Sequence, residues 1–310
     1  MSDREAKDQF RFTVGELTYL ARCLKLPGDI CTREGIRSNP LEALGVCLRR
    51  LMYPKRWIDM AAMFGRAPST LCHIFYYVVE FLDGKLEEFL YFDVDRITKN
   101  LDIYCDAIAA KEPRSIRGVW GFIDGTVRPI CRPSTGQQAM YNGHKRVHAM
   151  KFQTVVTPDG LISHLFGPVD GRRHDMFMLN ESGLKFKLEG NPAFHNKLIY
   201  GDPAYGCTNV FCCPYKGCRV NAPQKGLNKA MSAIRVSVEW SYGEVPKYFS
   251  FLDYKRHQRL PTTPTATLYK LGVFFTNCVT IARGGNNNSR YFRCKPPTFE
   301  EYFASYPNTK

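Results

Sequence analysis

The chain has 310 residues, of which 44% are hydrophobic and 23% are charged; this composition excludes a disordered or fibrous protein and predicts one large or two modest globular domains. The polar opening MSDREAKDQF predicts no secretory signal peptide, and the apolar runs are shorter than the ~18 residues that a membrane span needs. The 12 cysteines are scattered along the chain, so we expect reduced thiols and not a disulfide framework.

Positive charge is concentrated in the second part of the chain. Residues 1–120 contain 18 Lys and Arg against 17 Asp and Glu, a net charge of +1, whereas residues 121–310 contain 25 against 12, a net charge of +13. Such an excess favours a polyanionic partner such as nucleic acid, because cations near phosphates gain Coulomb energy and release counterions. The alternative is a basic surface that serves solubility.

Residues 1–112 are predicted to form a helical domain. Leucines recur at helical spacing from residue 41 to residue 51, and a regular apolar stripe runs from Leu71 to Leu82. Between them, Gly65-Arg66-Ala67-Pro68 predicts the end of one helix and the start of the next, with Ser69 or Thr70 as the N-cap.

Two helices joined by a glycine-containing turn are typical of a helix-turn-helix. In that geometry the start of the second helix faces the major groove of DNA. The side chains it would present are Arg66, Ser69, Thr70 and His73. Plain packing within a small helical bundle explains the same pattern equally well.

From residue 113 the periodicity changes to that of a mixed α/β domain, which is predicted to extend to residue 284. Strands are predicted at 120–124, 150–157, 161–166 and 197–202, and helices at 175–188, 228–248 and 266–282. The turn signal Pro158-Asp159-Gly160 predicts that the second and third strands form a hairpin. Residues 285–310 are rich in Asn, Gly and Pro at their start and are predicted to form a flexible tail.

Three acidic residues are candidates for a metal site. Asp124 and Asp202 each follow a predicted strand, and Glu239 lies on a predicted helix. Buried carboxylates are costly unless they are paired or bound to a cation, and hard oxygen ligands suit Mg²⁺ or Mn²⁺. In a basic domain this arrangement fits two-metal phosphodiester chemistry. Alternatively, the two aspartates are turn residues and Glu239 pairs with Arg235 one helical turn earlier.

Five ordered motifs give these acids a context. They are DGT at 124–126, YNGHK at 141–145, GRRHD at 171–175, GDPAY at 201–205 and RVSVEW at 235–240. Together with the preceding helices, over roughly residues 40–280, this pattern resembles PIF/Harbinger-type transposases and their DDE endonuclease domain.

The resemblance implies an RNase H-like fold, a mixed central sheet flanked by helices. It implies a catalytic, metal-binding triad of Asp124, Asp202 and Glu239 that holds two Mg²⁺ ions, or Mn²⁺ in their place. The expected reaction is DNA cleavage at transposon ends followed by strand transfer. Two alternatives remain: a domesticated protein that binds DNA or a partner without transposing, and an RNase H-like nuclease without strand transfer.

The resemblance also implies partners and a location. The expected partners are double-stranded DNA (terminal repeats and target), a Myb-like accessory protein and further copies of the chain, with no membrane association. The expected location is the nucleus.

Several residues around the acids have two interpretations. Arg172 and Arg173 are predicted to contact DNA phosphates. Lys145, Arg146 and Lys151 are predicted to be further cationic contacts to DNA, with a solvated face as the alternative. Asp175 is predicted to cap the following helix, with a role beside the metals as the alternative. The spacing of the cysteines from Cys207 to Cys218 is a poor match to a zinc site, which favours plain thiols.

Overall fold

The computed structural model describes residues 1–217, 220–260 and 262–304. The helices, in chain order, are α1 (Asp3–Phe10), α2 (Val14–Cys23), α3 (Pro40–Met52), α4 (Trp57–Phe64), α5 (Pro68–Leu90), α6 (Val94–Lys111), α7 (Gln137–Met140), α8 (Asp175–Glu181), α9 (Leu184–Glu189), α10 (Ala222–Arg235), α11 (Ser237–Tyr248), α12 (Thr265–Ala282), α13 (Asn287–Phe292) and α14 (Phe299–Ala304). The strands are β1 (Ile30–Cys31), β2 (Arg37–Ser38), β3 (Val119–Pro129), β4 (Tyr141–Asn142), β5 (Val147–Val156), β6 (Ile162–Asp170), β7 (Leu198–Gly201) and β8 (Phe211–Cys212). Short 3₁₀ turns lie at Pro192–Phe194, Pro203–Tyr205, Ser250–Asp253 and Lys255–His257.

The first third of the chain is helical, as its apolar periodicity predicts. α5 packs against α3 and α4, and its apolar stripe from Leu71 to Leu82 is buried. α4 ends at Gly65, whose backbone is left-handed (φ 63°). The predicted cap of α5 is wrong: Ala67 is the N-cap residue, and neither Ser69 nor Thr70 caps the helix. Pro68 explains the difference, since its fixed φ and missing N–H suit the first helical position and start the helix before either hydroxyl.

The remainder of the chain is built on a mixed sheet with the strand order β4-β5-β3-β7-β8, and β6 pairs with β5. β3 is antiparallel to β5 and parallel to β7, and β7 is parallel to β8. Helices α6 and α11 pack against β3, and α12 packs against β6. This mixed α/β architecture, a central sheet flanked by helices, is consistent with the predicted RNase H-like fold.

Strand positions agree with the sequence pattern, with one informative difference. The predicted hairpin is present as β5 and β6, and the predicted fourth strand is β7. β3, however, does not stop at Asp124 but continues to Pro129. Its second half finds partners along β5, from Phe122 opposite Val156 to Pro129 opposite Ala149, so the backbone stays paired beyond the acid.

Two predicted helices are divided in the structure. The segment 175–188 forms α8 and α9, separated at Gly183, which has a left-handed backbone (φ 63°). The segment 228–248 forms α10 and α11, which meet at Val236; the backbone of Val236 is itself helical (φ −55°, ψ −22°). α10 and α11 therefore run on as an almost continuous helix.

A buried ion pair ties the N-terminal helices to the sheet. Arg96 of α6 donates to Asp159 in the β5–β6 turn (3.1 Å), and Tyr104 donates to the same carboxylate (2.6 Å). Both charged side chains are almost fully buried. α12 also packs against α5. The proposed division of the chain near residue 112 stays a prediction.

The predicted flexible tail is wrong for residues 285–304. α13 and α14 pack on the rest of the protein, with Phe292 and Tyr302 buried, and Asn286 Nδ2 donates to the carbonyl of Gly160 (2.8 Å). Burial of these aromatic rings outweighs the loop-forming tendency of the Asn and Gly residues. Residues 305–310 lie outside the described residues. Within the described part of the chain, no helix has the length and apolarity needed to cross a membrane.

Candidate active site

Asp124 and Asp202 are neighbours on adjacent parallel strands. In the β3–β7 pairing, Ile123 lies opposite Gly201, so the residue that follows each of them occupies the next position of the two strands. Asp202 has extended backbone (φ −62°, ψ 152°), and its carboxylate accepts from the backbone N–H of Ala204 (2.8 Å). Since side chains alternate along extended chains, both aspartates point to the same face of the sheet, called here the front face.

Gly201 is required for this arrangement. A Cβ at Gly201 would lie 2.6 Å from Cγ2 of Ile123 and 3.0 Å from the ring of Tyr205. Both contacts are closer than side chains tolerate, and both lie on the opposite face from the two aspartates. The glycine thus lets the chain turn directly after β7 with Asp202 at the front.

The Asp124 carboxylate is in an unfavourable environment. Burial raises its pKa to about 6, opposed by the nearby Arg235 guanidinium and by the backbone N–H of Gly125, while Asp175 and Asp202 raise it further. Arg235 Nη1 lies 3.6 Å from Asp124 Oδ2, an ion-pair distance without a hydrogen bond. The ionised form of Asp124 is therefore only partly compensated by the protein.

Glu239 lies on the helix that covers the front face. Arg235, Glu239 and Tyr242 follow one another at spacings of four and three residues along α10 and α11, so they share one side of the helix. Arg235 contacts Asp124, and Tyr242 forms a hydrogen bond (2.6 Å) with Thr154, the residue paired with Asp124 across β3 and β5. Glu239 thus lies between two residues that reach Asp124 and its partner.

The Glu239 side chain is exposed and has no ion pair or hydrogen bond within the described residues. The alternative Arg235–Glu239 pair is not formed, since Arg235 is directed to Asp124 instead. The catalytic triad itself stays a prediction.

Asp175 is the residue whose role differs most from expectation. It does not cap α8: His174 occupies the N-cap position, with no side-chain cap, and Asp175 is the first helical residue. Its carboxylate packs against Gly125, where a Cβ would lie 2.6 Å from Oδ1. Gly125 and Asp124 face opposite sides of β3, so Asp175 approaches the strand from the back, yet it is close enough to Asp124 to raise the pKa of that carboxyl more than Asp202 does.

Lys151 belongs to the same back face. It is only 7% exposed, and its ammonium donates to Asp175 Oδ1 (2.7 Å) and to the carbonyl of Arg173 (2.9 Å). The prediction of Lys151 as a DNA contact or a solvated residue is therefore wrong. An apolar run in β5 gives no sequence signal that a lysine within it has a partly buried acidic partner 24 residues later.

Tyr205 completes the back face. It is buried, and its hydroxyl has no hydrogen-bond partner among the described residues. Burial, with the charges of Asp175, Asp124 and Asp202, raises its pKa well above the usual value. The tyrosine is therefore a neutral support beneath the turn that carries Asp202.

The front-face residues fit a divalent cation by donor chemistry. Asp124 and Asp202 offer hard carboxylate oxygens on one face, and Asp124 is buried with incomplete compensation, which a cation would relieve. As folded, the described residues contain no group of three His, Cys, Asp or Glu side chains placed to hold a metal ion. Asp124 and Asp202 lie on one face of the sheet, and the Glu239 carboxylate does not form a group of three with them.

Lys145, Arg146, Arg172 and Arg173 form a basic patch on two loops, and the carbonyl of Arg173 accepts from Lys151, the partner of Asp175. Asn142 ties its two loops together: its Oδ1 accepts from the N–H of Lys145 (2.9 Å), and its Nδ2 donates to the carbonyl of Gly171 (2.7 Å). Lys145, Arg146 and Arg172 are exposed, and the Arg173 guanidinium lies 4.4 Å from the ring centroid of Phe177. The structure brings these predicted contacts together; whether they bind DNA stays a prediction.

Two of the helix-turn-helix residues that are predicted to contact DNA, Arg66 and His73, make side-chain contacts within the protein. Arg66 forms two hydrogen bonds with Glu42 of α3 (2.9 and 3.0 Å), and His73 Nδ1 lies 3.2 Å from a Glu34 carboxylate oxygen. Ser69 is exposed and Thr70 is half-buried. Arg66 thus already links two helices, and DNA reading by this segment stays a prediction.

The cysteine cluster gives no zinc site in the part of the chain that the structure describes. Cys207 and Cys213 bring their sulfurs to 3.0 Å, Cys212 is buried, and Cys218 lies outside the described residues.

Comparison with known families identifies the domain in which the three acids lie. A family model described as DDE superfamily endonuclease matches residues 123–278, half of the chain, and this range contains Asp124, Asp202 and Glu239. The match names the superfamily, so the PIF/Harbinger type stays a resemblance. No curated protein and no solved structure matches the chain. With its mixed sheet, its paired strand aspartates and this match, the chain belongs to the DDE superfamily endonucleases.

Proposed function

We propose that this DDE endonuclease is a metal-dependent transposase that cuts DNA at transposon ends and joins the freed 3′ end to target DNA. The observation that carries the proposal is the register of β3 and β7, which sets Asp124 and Asp202 side by side on one face within the DDE endonuclease region. Glu239, on the helix that covers that face, is the third member of the proposed catalytic group.

DDE endonuclease domains generally use divalent metals. We propose Mg²⁺, with Mn²⁺ as a substitute, two ions in all, held by Asp124, Asp202 and Glu239. Such ions, when bound, lower the pKa of an attacking water or hydroxyl and stabilise the departing oxygen. In the protein, Asp202 is fixed by its hydrogen bond to Ala204, and Asp124 is fixed by β3, so both carboxylates are oriented before any cation arrives.

The exposed basic patch within the DDE endonuclease region supports DNA as the substrate. Lys145, Arg146 and Arg172 expose three positive charges on loops that Asn142 holds together. We propose that this patch holds the phosphate backbone while the front face receives the bond to be cut. A nuclear location, a Myb-like partner and a multimer that holds two ends belong to the same proposal.

The first experiment measures nicking and joining. The substrate is a supercoiled plasmid that carries the genomic segments flanking the coding sequence, incubated with Mg²⁺, Mn²⁺ or EDTA. We expect cutting by the wild type with either metal and none with EDTA. Asp202→Asn should abolish cutting while DNA binding, followed by fluorescence polarisation, is retained. Asp8→Asn, an exposed aspartate of α1, is the matched control and should cut normally.

The outcomes separate the alternatives. Cutting by Asp202→Asn at the wild-type rate contradicts the assigned site. A wild type that binds DNA but does not cut under either metal contradicts the enzyme and favours a domesticated binding protein. Joining of a pre-cut end to a target plasmid tests strand transfer, and cutting without joining favours a simple nuclease.

A further inference from the structure

Arg235 occupies a position that the proposed function does not explain. It is the last residue of α10, its side chain is about one-quarter exposed, and its Nη1 lies 3.6 Å from Asp124 Oδ2. This is the one ion pair made by a front-face aspartate within the described residues. The guanidinium therefore approaches the carboxylate on the side from which a metal ion would have to bind.

The contact between Arg235 and Asp124 is of a kind that a metal ion could replace. At 3.6 Å it lacks the geometry of a hydrogen bond, whereas the pair between Lys151 and Asp175 on the back face is a 2.7 Å hydrogen bond with a buried lysine. A divalent cation carries twice the charge of the guanidinium and can approach the carboxylate oxygens more closely.

We propose that Arg235 is the counter-ion of Asp124 in the metal-free protein, and that it competes with the divalent cation for this carboxylate. The inference rests on the proposed metal site. A guanidinium and a divalent cation repel each other when both lie beside the same carboxylate, so binding of the metal moves Arg235 outwards. Arg235 is thus a positioning residue, which keeps Asp124 charged and oriented until the metal arrives.

The position of Arg235 also connects this exchange to Glu239. Both residues lie on the same side of the almost continuous helix α10–α11, one turn apart. While Arg235 holds Asp124, the helix is held against β3, and Glu239 stays exposed without a partner among the described residues. When the metal displaces the guanidinium, the acidic side chain one turn away is the next group on that side of the helix, and it can then approach the cation.

The test measures metal binding without DNA or catalysis. Mn²⁺ is titrated by calorimetry into full-length wild type, Arg235→Gln, Arg235→Lys and the control Lys229→Gln. Lys229 is an exposed cation of the same helix, so its removal reports the general effect of one lost positive charge. We expect Arg235→Gln to bind Mn²⁺ about tenfold more tightly than the wild type, with the Lys variant and the control within about twofold to threefold.

The Mn²⁺ titrations distinguish failure of the proposed competition from failure of the proposed metal site. Unchanged or weaker Mn²⁺ binding by Arg235→Gln, in a wild type that binds the ion, overturns the competition and leaves the proposed function standing. Absence of Mn²⁺ binding in every protein overturns the proposed metal site and, with it, this inference.

A second measurement does not depend on the folding of the Gln variant. In ¹⁵N-labelled wild type, the Nε–H resonance of Arg235, assigned by its loss in Arg235→Lys, is followed while Mg²⁺ is added. A shift towards the resonance of a free guanidinium supports displacement, and an unchanged resonance at saturating Mg²⁺ refutes it.

Discussion

The burial of Asp124 predicts that this carboxylate, a member of the proposed catalytic group, costs the protein stability when no metal is present. Folding raises the pKa of Asp124 from 3.8 to about 6, chiefly through burial. Because the folded state binds this proton more tightly, the contribution of Asp124 to the stability of the wild type falls as the pH rises from about 4 to about 6. The difference of about 2 pKa units corresponds to roughly 3 kcal/mol at neutral pH.

Asp124→Asn keeps the shape of the side chain and removes its charge. We expect it to be more stable than the wild type by about 2–3 kcal/mol at pH 7.5 in EDTA, and by less than about 1 kcal/mol at pH 4. Urea unfolding at the two pH values measures the difference. Asp8→Asn, which removes an exposed charge, should change stability by no more than about 0.5 kcal/mol at either pH.

Addition of Mg²⁺ extends the test. The wild type should gain stability with increasing Mg²⁺, because the ion binds the folded state, whereas Asp124→Asn should gain little. The reasoning is refuted if Asp124→Asn is less stable than the wild type at pH 7.5, or if the difference between them is the same at pH 4.

Two further predictions concern buried groups away from the acids. His164 is buried, with Nδ1 hydrogen-bonded to the carbonyl of Tyr91, and burial lowers its pKa from 6.5 to about 4. The contribution of His164 to the stability of the wild type should therefore fall by about 3 kcal/mol on acidification from pH 7 to pH 4, opposite in sign to that of Asp124, and the difference in urea unfolding between wild type and His164→Gln should shrink by that amount. Asp159→Asn removes the closer of the two carboxylates beside the buried Arg96 (3.1 Å, against 3.6 Å for Asp93) and should cost about 3 kcal/mol. Adding Arg96→Met to it should cost less than the sum of the two single changes, as a double-mutant cycle would show; an additive result would contradict the coupling.

Local patterns in the sequence were sufficient for most of the sheet. The apolar run before Asp124, the Pro-Asp-Gly turn and the run before Asp202 predict strands that are present, because strand and turn propensities act over a few residues. The adjacency of Asp124 and Asp202 follows from two strands that run parallel, which the family resemblance implied and the register now shows.

The same local patterns did not predict contacts between residues that are far apart in the chain. The four-residue spacing favours an ion pair between Arg235 and Glu239, but Arg235 contacts Asp124 on β3 instead. Residues 285–304 have the composition of a loop, yet they are held by the burial of Phe292 and Tyr302. In both cases the deciding contact joins residues far apart in the chain, so no local spacing indicates it.

The two faces of β3 show how a functional acid differs physically from a structural one. Asp175, on the back, is matched at 2.7 Å by Lys151, a buried and dedicated partner, and it can approach the strand only because Gly125 has no side chain. Asp124, on the front, has only a guanidinium at 3.6 Å, and its pKa is raised to about 6. A protein that needed Asp124 for stability alone would be expected to compensate its charge as fully as that of Asp175. The weak ion pair of Asp124 on the front face, compared with the close hydrogen-bonded pair of Asp175 on the back, supports the proposal that the chemistry takes place at the front face and that the back face supports the strand.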